Sequence, residues 1–419
     1  MQKMRTHALE ALHQGKDFIL DMGVAILTGL LCGVVGSVFH HAVDWATEIR
    51  TEHGWLLYLL PAAGLLIAFL YQYTHTNGIG TNNILQSIRK GEHIPLWLVP
   101  VIFVSTTITH LFGGSAGREG AALQIGGGIG FKLGSLLKLD DGDHRMATLC
   151  GMSAVFAALF ATPLTATVFV LEVVAVGLIQ YSAFVPCLVS SMSAFGVSKL
   201  FGLHTSHYAP VVQGLDVMLS VKVVIFAIIV ALMSIILCEV LHNIEHAAAK
   251  LFKNRFVRAF AGGLLIIGLT LALNTRDYNG AGGDIITLAL GGTLNSNWAF
   301  LWKLLFTAVT IGFGFKGGEI VPTFFIGATF GCLIGPMLGI PAPLAAALGL
   351  VGMFCGVVNC PLASIILSIE LFGAGAIPYF ALVCGIAYML SGSYGLYTGS
   401  QLILFPKTKW QTKNRDLSL

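Results

Sequence analysis

Apolar segments, several too short to cross a membrane as a simple helix, occupy most of this chain. A simple transmembrane helix needs about 20 apolar residues, and several of these segments are shorter and interrupted by glycine. Such helices stop inside the membrane, where their ends build a site. The sequence therefore predicts an all-α polytopic membrane protein with broken helices. The segments are 24–43, 55–71, 96–111, 146–161, 165–179, 184–200, 217–240, 256–273, 298–313, 322–338, 345–357, 362–372 and 377–390.

The composition excludes a soluble protein with a single anchor. Of the 419 residues, 56% are hydrophobic and only 10% are charged, and the mean hydropathy is +0.83. Soluble domains carry about 25% charged residues. The eight cysteines lie in apolar segments without metal-ligand spacing, so we expect packing roles. No cofactor, metal or nucleic acid is expected, and no nucleophile or metal motif indicates an enzyme.

Basic residues cluster at both ends of the chain and predict its orientation. Cytoplasmic segments of membrane proteins are enriched in lysine and arginine, so both ends are expected in the cytoplasm. This prediction requires an even number of crossings. Residues 1–20 are expected to form a cytoplasmic segment too polar for a signal peptide, and 405–419 a cytoplasmic tail with no soluble regulatory domain. The basic residues are Lys3, Arg5, Lys16, Lys407, Lys409, Lys413 and Arg415.

Two related halves recur about 200 residues apart within one predicted transmembrane domain, 21–404. The first repeat covers about 21–200, the second about 217–390, and a closing segment 391–404 follows. Paired repeats place a substrate site at their interface, near the middle of the membrane. Their relative orientation, parallel or inverted, stays open. The matches pair Asn77 and Gly78 with Asn279 and Gly280, Gly126, Gly130 and Gly134 with Gly327, Gly331 and Gly335, and Pro163 and Glu172 with Pro361 and Glu370.

Three glycine-flanked helix starts are candidate anion sites: 78–80, 117–120 and 317–322. Free backbone N–H groups and the helix dipole attract anions there. The alternative, close helix packing through glycine, does not explain Glu119 or Glu319. Ionisable groups at membrane depth are costly and usually mark a pathway.

Glu119 in this setting is a tethered anion, which can block a helix start when ionised and leave it when protonated. Such a carboxyl couples proton movement to anion movement. A buried ion pair with Arg118 is the alternative, although adjacent helical residues point about 100° apart.

Three further residues have two open interpretations each. Glu172 and Glu370 end the matching Pro-Leu segments, which favours symmetric structural roles as acceptors for helix-end N–H groups over a proton path. Tyr397 follows the last apolar segment, where tyrosine usually anchors the membrane interface. Its hydroxyl could instead donate to an anion.

These motifs together resemble the CLC chloride channel/transporter superfamily over roughly 24–404. The resemblance rests on G-R-E-G at 117–120, G-x-x-x-P at 318–322, A-x-P-L before Glu172, and L-Y-T at 396–398. It implies a homodimer with one pore per subunit in the inner (plasma) membrane. Each subunit would be an inverted repeat of tilted, broken helices. No CBS domains are expected, since only a short polar tail follows residue 404.

The resemblance also implies roles for individual residues. Glu119 would be the gating glutamate. Glu319, as a nearby second carboxyl, could exchange protons with Glu119 or, when protonated, hydrogen-bond a small hard anion. The anion-binding positions would be Gly78, Ile79, Gly80, Gly117, Arg118, Gly120, Gly318, Ile320, Val321 and Tyr397.

Departures from the chloride-type pattern favour the fluoride/proton antiporter subclass. Ile79 replaces the chloride-contacting serine, Ala121 a proline, and Val173 an inward glutamate, while Glu319 stands where that subclass has a glutamate. The same subclass often has methionine at the position of Ile79 and threonine at that of Val321. The sequence predicts an antiporter that exports fluoride in exchange for protons. The alternatives are a chloride/proton antiporter and a passive chloride channel.

Overall fold

The computed structural model describes residues 2–176, 179–203, 216–397 and 402–403, with side chains from residue 15 to residue 397. Thr398 and the predicted tail 405–419 lie outside these residues. The described residues form sixteen α-helices, three short 3-10 segments and one two-stranded parallel pair, β1 (Ala175–Val176) with β2 (Leu402–Ile403). The first eight helices are α1 (Gln2–Glu52), α2 (Leu60–Tyr73), α3 (Thr81–Lys90), α4 (Leu98–Leu111), α5 (Glu119–Leu136), α6 (Asp141–Phe160), α7 (Pro163–Val174) and α8 (Phe184–Leu200). The second eight are α9 (Val217–Leu251), α10 (Arg255–Leu273), α11 (Gly283–Leu290), α12 (Ala299–Gly312), α13 (Ile320–Met337), α14 (Ala342–Val358), α15 (Pro361–Phe372) and α16 (Ile377–Leu390).

Six helical stretches of the described chain are long and apolar enough to cross a membrane. Other apolar helices are shorter, and α7 and α15 have only 12 residues each. Large apolar side chains remain exposed along the long helices, as expected for lipid-facing surfaces. The prediction of an all-α membrane protein with broken helices is confirmed.

The two halves correspond helix by helix, α1–α8 with α9–α16, in the same order. Local geometry repeats as well. Left-handed residues Ala161 and Asn359 end α6 and α14, and a proline begins the helix that follows each of them. Gly113 and Gly314, which follow α4 and α12, also share a positive φ. The internal repeat inferred from sequence therefore extends to backbone conformation.

Glu172 and Glu370 establish that the repeats are inverted. The Glu370 carboxylate, near the end of α15, accepts N–H bonds from Leu164 and Thr165 at the start of α7. The Glu172 carboxylate, near the end of α7, accepts N–H bonds from Leu362 and Ala363 at the start of α15. Each helix end thus lies at the start of its counterpart, so α7 and α15 run antiparallel. The structural interpretation of both glutamates is confirmed.

Removal of either carboxylate is expected to destabilise the fold, and more at Glu172 than at Glu370. Each change leaves two helix-start N–H groups without an acceptor, at a cost of about 1–3 kcal/mol. Glu172 is 5% exposed, whereas Glu370 is only partly buried, so water compensates less at Glu172. In detergent, the thermal unfolding midpoint of Glu172→Ala should be lower than that of Glu370→Ala. Both midpoints should be lower than that of the exposed control Glu92→Ala. Equal midpoints for all three would contradict this assignment.

Several helix boundaries differ from the apolar segments. The segment list omits α3, α5 and α11, because glycine and polar residues interrupt their hydrophobic pattern. Helix α9 continues to Leu251, beyond the predicted end at 240, because a helix that leaves the membrane can stay helical with polar side chains. Helix α7 ends at Val174, five residues before the predicted end at 179. The outer bounds of the transmembrane domain stay a prediction.

Helices α5, α6, α13 and α14 form the buried centre of the protein. Glycines allow their backbones to touch, since a Cβ on Gly126 would overlap the backbone of Gly151, and one on Gly327 that of Gly349. These glycines of the repeat therefore serve packing. The tight pairs α5–α6 and α13–α14 hold α5 and α13 in position at the centre of the protein. All eight cysteines are buried, in agreement with packing roles.

Candidate functional site

Three helix starts predicted as anion sites meet inside the protein. The backbones of Gly117 and Gly318 pair as an antiparallel bridge, with N–H···O distances of 2.7 and 2.8 Å. This bridge places the first residues of α5 and α13 side by side. The hydroxyl of Thr81, at the start of α3, donates to the carbonyl of Gly120 at 3.4 Å. Three positive helix ends therefore lie close together, an arrangement that favours an anion.

Glu119 carries a carboxylate into this junction. Its side chain is 0% exposed and faces the amides of Arg118 and Val321, without a well-formed hydrogen bond among the described residues. A Cβ on Gly117 or Gly318 would overlap the carboxylate oxygens. The two glycines thus leave room for this side chain. A buried carboxylate without fixed partners can be exchanged for another anion.

Arg118 points away from Glu119. Its guanidinium donates to Asp44 on α1 at 2.8 Å, and Asp44 also pairs with His40 at 2.8 Å. The sequence left open an ion pair between Arg118 and Glu119. The residues that the structure describes do not form it. At the helix junction Arg118 contributes its backbone, while its side chain ties α5 to α1.

A cavity of about 770 Å³ reaches the junction from one side of the protein. Its lining includes four of the predicted anion-binding residues, together with Glu319, whose side chain is partly exposed to it. The carboxylates thus differ in access, because Glu119 is sealed and Glu319 is reachable. The four residues are Gly78, Ile79, Gly80 and Tyr397.

Tyr397 holds an unused donor at this cavity. The residue is 3% exposed, and its hydroxyl has no hydrogen-bond partner among the described residues. Its segment is fixed from both sides, since the N–H of Leu396 donates to Val357 at 2.8 Å and the Asn359 amide donates to Tyr394 at 3.0 Å. An anchored, unpaired hydroxyl favours the donor interpretation over the interfacial anchor.

The remaining predicted positions lie at the junction rather than along the cavity. Gly120 allows close approach, because a Cβ there would lie 3.0 Å from the Gly317 carbonyl oxygen. Ile320 and Val321 form the first turn of α13, with Ile320 fully buried. The structure thus brings the predicted positions together in two adjoining groups, one around the Gly117–Gly318 bridge and one along the cavity.

Sequence reasoning missed several polar residues near this site. Lys303 is fully buried in α12 and donates to the carbonyls of Gly280 at 2.6 Å and Tyr278 at 3.2 Å. A lysine inside a predicted membrane segment was the available signal. Thr81 and Gln124, which hydrogen-bond each other at 3.3 Å, carried no comparable signal. Their role depends on the meeting of α3 and α5.

Comparisons with known proteins agree on one family. The family model described as voltage gated chloride channel matches residues 63–392. The chain is 36% identical over 389 residues to a chloride/fluoride channel protein of Pseudomonas syringae pv. tomato, which covers 90% of this chain and 85% of the relative. The crystal structure of a CLC-type fluoride/proton antiporter matches with a TM-score of 0.89 and 32% identity, over 92% of this chain and 98% of that one. A slow cyanobacterial Cl−/H+ antiporter, at 20% identity and a TM-score of 0.77 over 95% and 98% of the two chains, shares the fold.

Proposed function

Because the chain belongs to the voltage-gated chloride channel (CLC) family, we propose that it is an anion/proton antiporter whose transported anion is fluoride. The observation that carries the proposal is the fully buried carboxylate of Glu119 at the starts of α5 and α13, which has no hydrogen-bond partner in the part of the chain that the structure describes. A second carboxylate, Glu319, faces the adjoining cavity. Fluoride is also named for the Pseudomonas chloride/fluoride channel protein, at 36% identity, and for the CLC-type fluoride/proton antiporter, at 32% identity.

The mechanism uses Glu119 as a movable plug. Ionised, its carboxylate occupies the junction where the dipoles of α5 and α13 favour negative charge. Protonated, it no longer competes there, and an anion from the cavity takes its place. The Tyr397 hydroxyl and the backbone N–H groups of α13 supply donors for that anion. Glu319 exchanges protons at the cavity. It thereby takes over the role of the inward glutamate, whose position is occupied here by Val173.

The proposed orientation places the open end of the cavity in the cytoplasm. The N-terminus of α1 is assigned to the cytoplasm because basic residues are enriched on that side. Since the repeats are inverted, α9 runs opposite to α1 and ends in the cytoplasm, where Lys250, Lys253 and Arg255 follow its membrane segment. We further propose a plasma-membrane homodimer, with one pathway per subunit and both termini cytoplasmic.

Liposome transport tests the function directly. Vesicles that contain the purified protein and are loaded with fluoride should take up protons against the proton gradient as fluoride leaves. Vesicles loaded with chloride should show little anion or proton flux. A passive channel would move fluoride without protons, and the name of the Pseudomonas relative makes that the second candidate. Chloride efflux comparable to fluoride efflux would overturn the assignment of the anion.

A further inference from the structure

The end of α9 forms one wall of the cavity and presents four ionisable side chains on a single helix face. Spacings of three and four residues place side chains on the same side of a helix. All four line the cavity that Glu319 also lines. The residues are Glu239, His242, Glu245 and His246.

Glu245 is the residue of this face at which α9 meets α12. It lines the same cavity as Glu319. The backbone contact is close, because a Cβ on Gly312 would lie 3.1 Å from the amide nitrogen of Glu245. Helix α9 therefore packs against the end of α12, immediately before the segment that carries Glu319.

A second wall of the cavity is basic. Arg255 and Arg258 of α10 line it, together with Lys316, whose ammonium lies 4.5 Å from the centre of the Tyr71 ring. Among the described residues, no ion pair within 4.0 Å joins the two walls, and Glu239 accepts from Asn243 on its own helix. An anion is attracted to the second wall, whereas the first offers groups that bind and release protons.

We propose that this face of α9 collects cytoplasmic protons and exchanges them with Glu319. The inference rests on the proposed function. At neutral pH free protons are scarce, and imidazole is the side chain that titrates in that range. Carboxylates and imidazoles one helix turn apart pass protons through water in the cavity. Glu319 is the first group of the transport site that these protons meet, because Glu119 is sealed from the cavity.

Transport at two cavity-side pH values tests the relay. The combined variant Glu245→Gln, His242→Gln and His246→Gln should slow coupled fluoride/proton exchange about tenfold near pH 8, where proton supply limits turnover. Near pH 5.5, free protons reach Glu319 through water, and turnover should return to within about twofold of the wild type. Recovery at low pH also shows that the variant is folded. The matched control, Glu92→Gln with His93→Gln, changes an exposed pair outside the cavity and should match the wild type at both values.

Three outcomes would overturn the relay. Unchanged exchange near pH 8 would mean that the α9 face does not supply protons. Equal slowing at both pH values would indicate an anion-path or folding defect. Wild-type protein without any proton coupling would overturn the proposed function itself, and this result is separable because it is measured before any variant.

Discussion

Glu119→Gln is expected to abolish fluoride-driven proton uptake while fluoride still moves down its own gradient. Glutamine keeps the size of the side chain but neither ionises nor carries a transferable proton. Its amide still fits the space above Gly117 and Gly318, so the fold should be retained. Proton uptake per fluoride, measured in liposomes, should fall by about tenfold or more.

The control for Glu119→Gln is Glu92→Gln, an exposed carboxylate that lies 3.8 Å from the Lys90 ammonium. It should leave coupling unchanged. Proton uptake that persists in Glu119→Gln at the wild-type ratio to fluoride would show that the plug is another group.

Gly318→Ala is expected to disrupt transport strongly. The added Cβ would overlap the Glu119 carboxylate and lie 2.7 Å from the Gly120 amide nitrogen and 2.9 Å from that of Glu119. The starts of α5 and α13 must then separate. Displacement of a binding junction by about 1 Å costs roughly a hundredfold in rate, and overpacking costs about 1–3 kcal/mol of stability. Fluoride turnover and thermal unfolding in detergent measure the two effects.

Gly385→Ala in α16 is the matched control for this change. A Cβ there meets no atom within 4 Å. Alanine in a helix interior is more favourable than glycine by about 0.5–1 kcal/mol, so this variant should be as stable as the wild type or slightly more stable. Wild-type turnover in Gly318→Ala would contradict the close contact of the two helix starts.

The sequence was sufficient to predict those parts of the fold that depend on the surrounding solvent and on the local pattern of apolar residues. Low charge and interrupted apolar segments predict broken membrane helices, because the lipid interior excludes unpaired backbone polar groups. The offset of the repeats predicts two matching halves, and structural correspondence of α1–α8 with α9–α16 follows it. Helices α3, α5 and α11 were not predicted from hydrophobicity, because glycine and polar residues interrupt their apolar pattern. These residues are buried only through packing against neighbouring helices.

The candidate site divides in the same way. Glu119, Glu319 and Tyr397 could be singled out because ionisable or hydroxyl groups beside glycine at membrane depth are unusual. Lys303 and the α9 face could not be assigned to it. Their relevance depends on which helices pack beside them. Sequence spacing does not show how far they lie from the site in the folded protein.

The sequence by itself determined that this is a two-repeat membrane protein of broken helices, with carboxylates at glycine-flanked helix starts. These properties follow from hydrophobicity, backbone hydrogen bonding and conformational preference, all of which act locally. Only the tertiary structure decided that the repeats are inverted, that Arg118 pairs with Asp44, and that Glu119 is sealed while Glu319 faces a cavity. The physical reason is that burial, ion pairing and access to water depend on contacts between residues far apart in the chain.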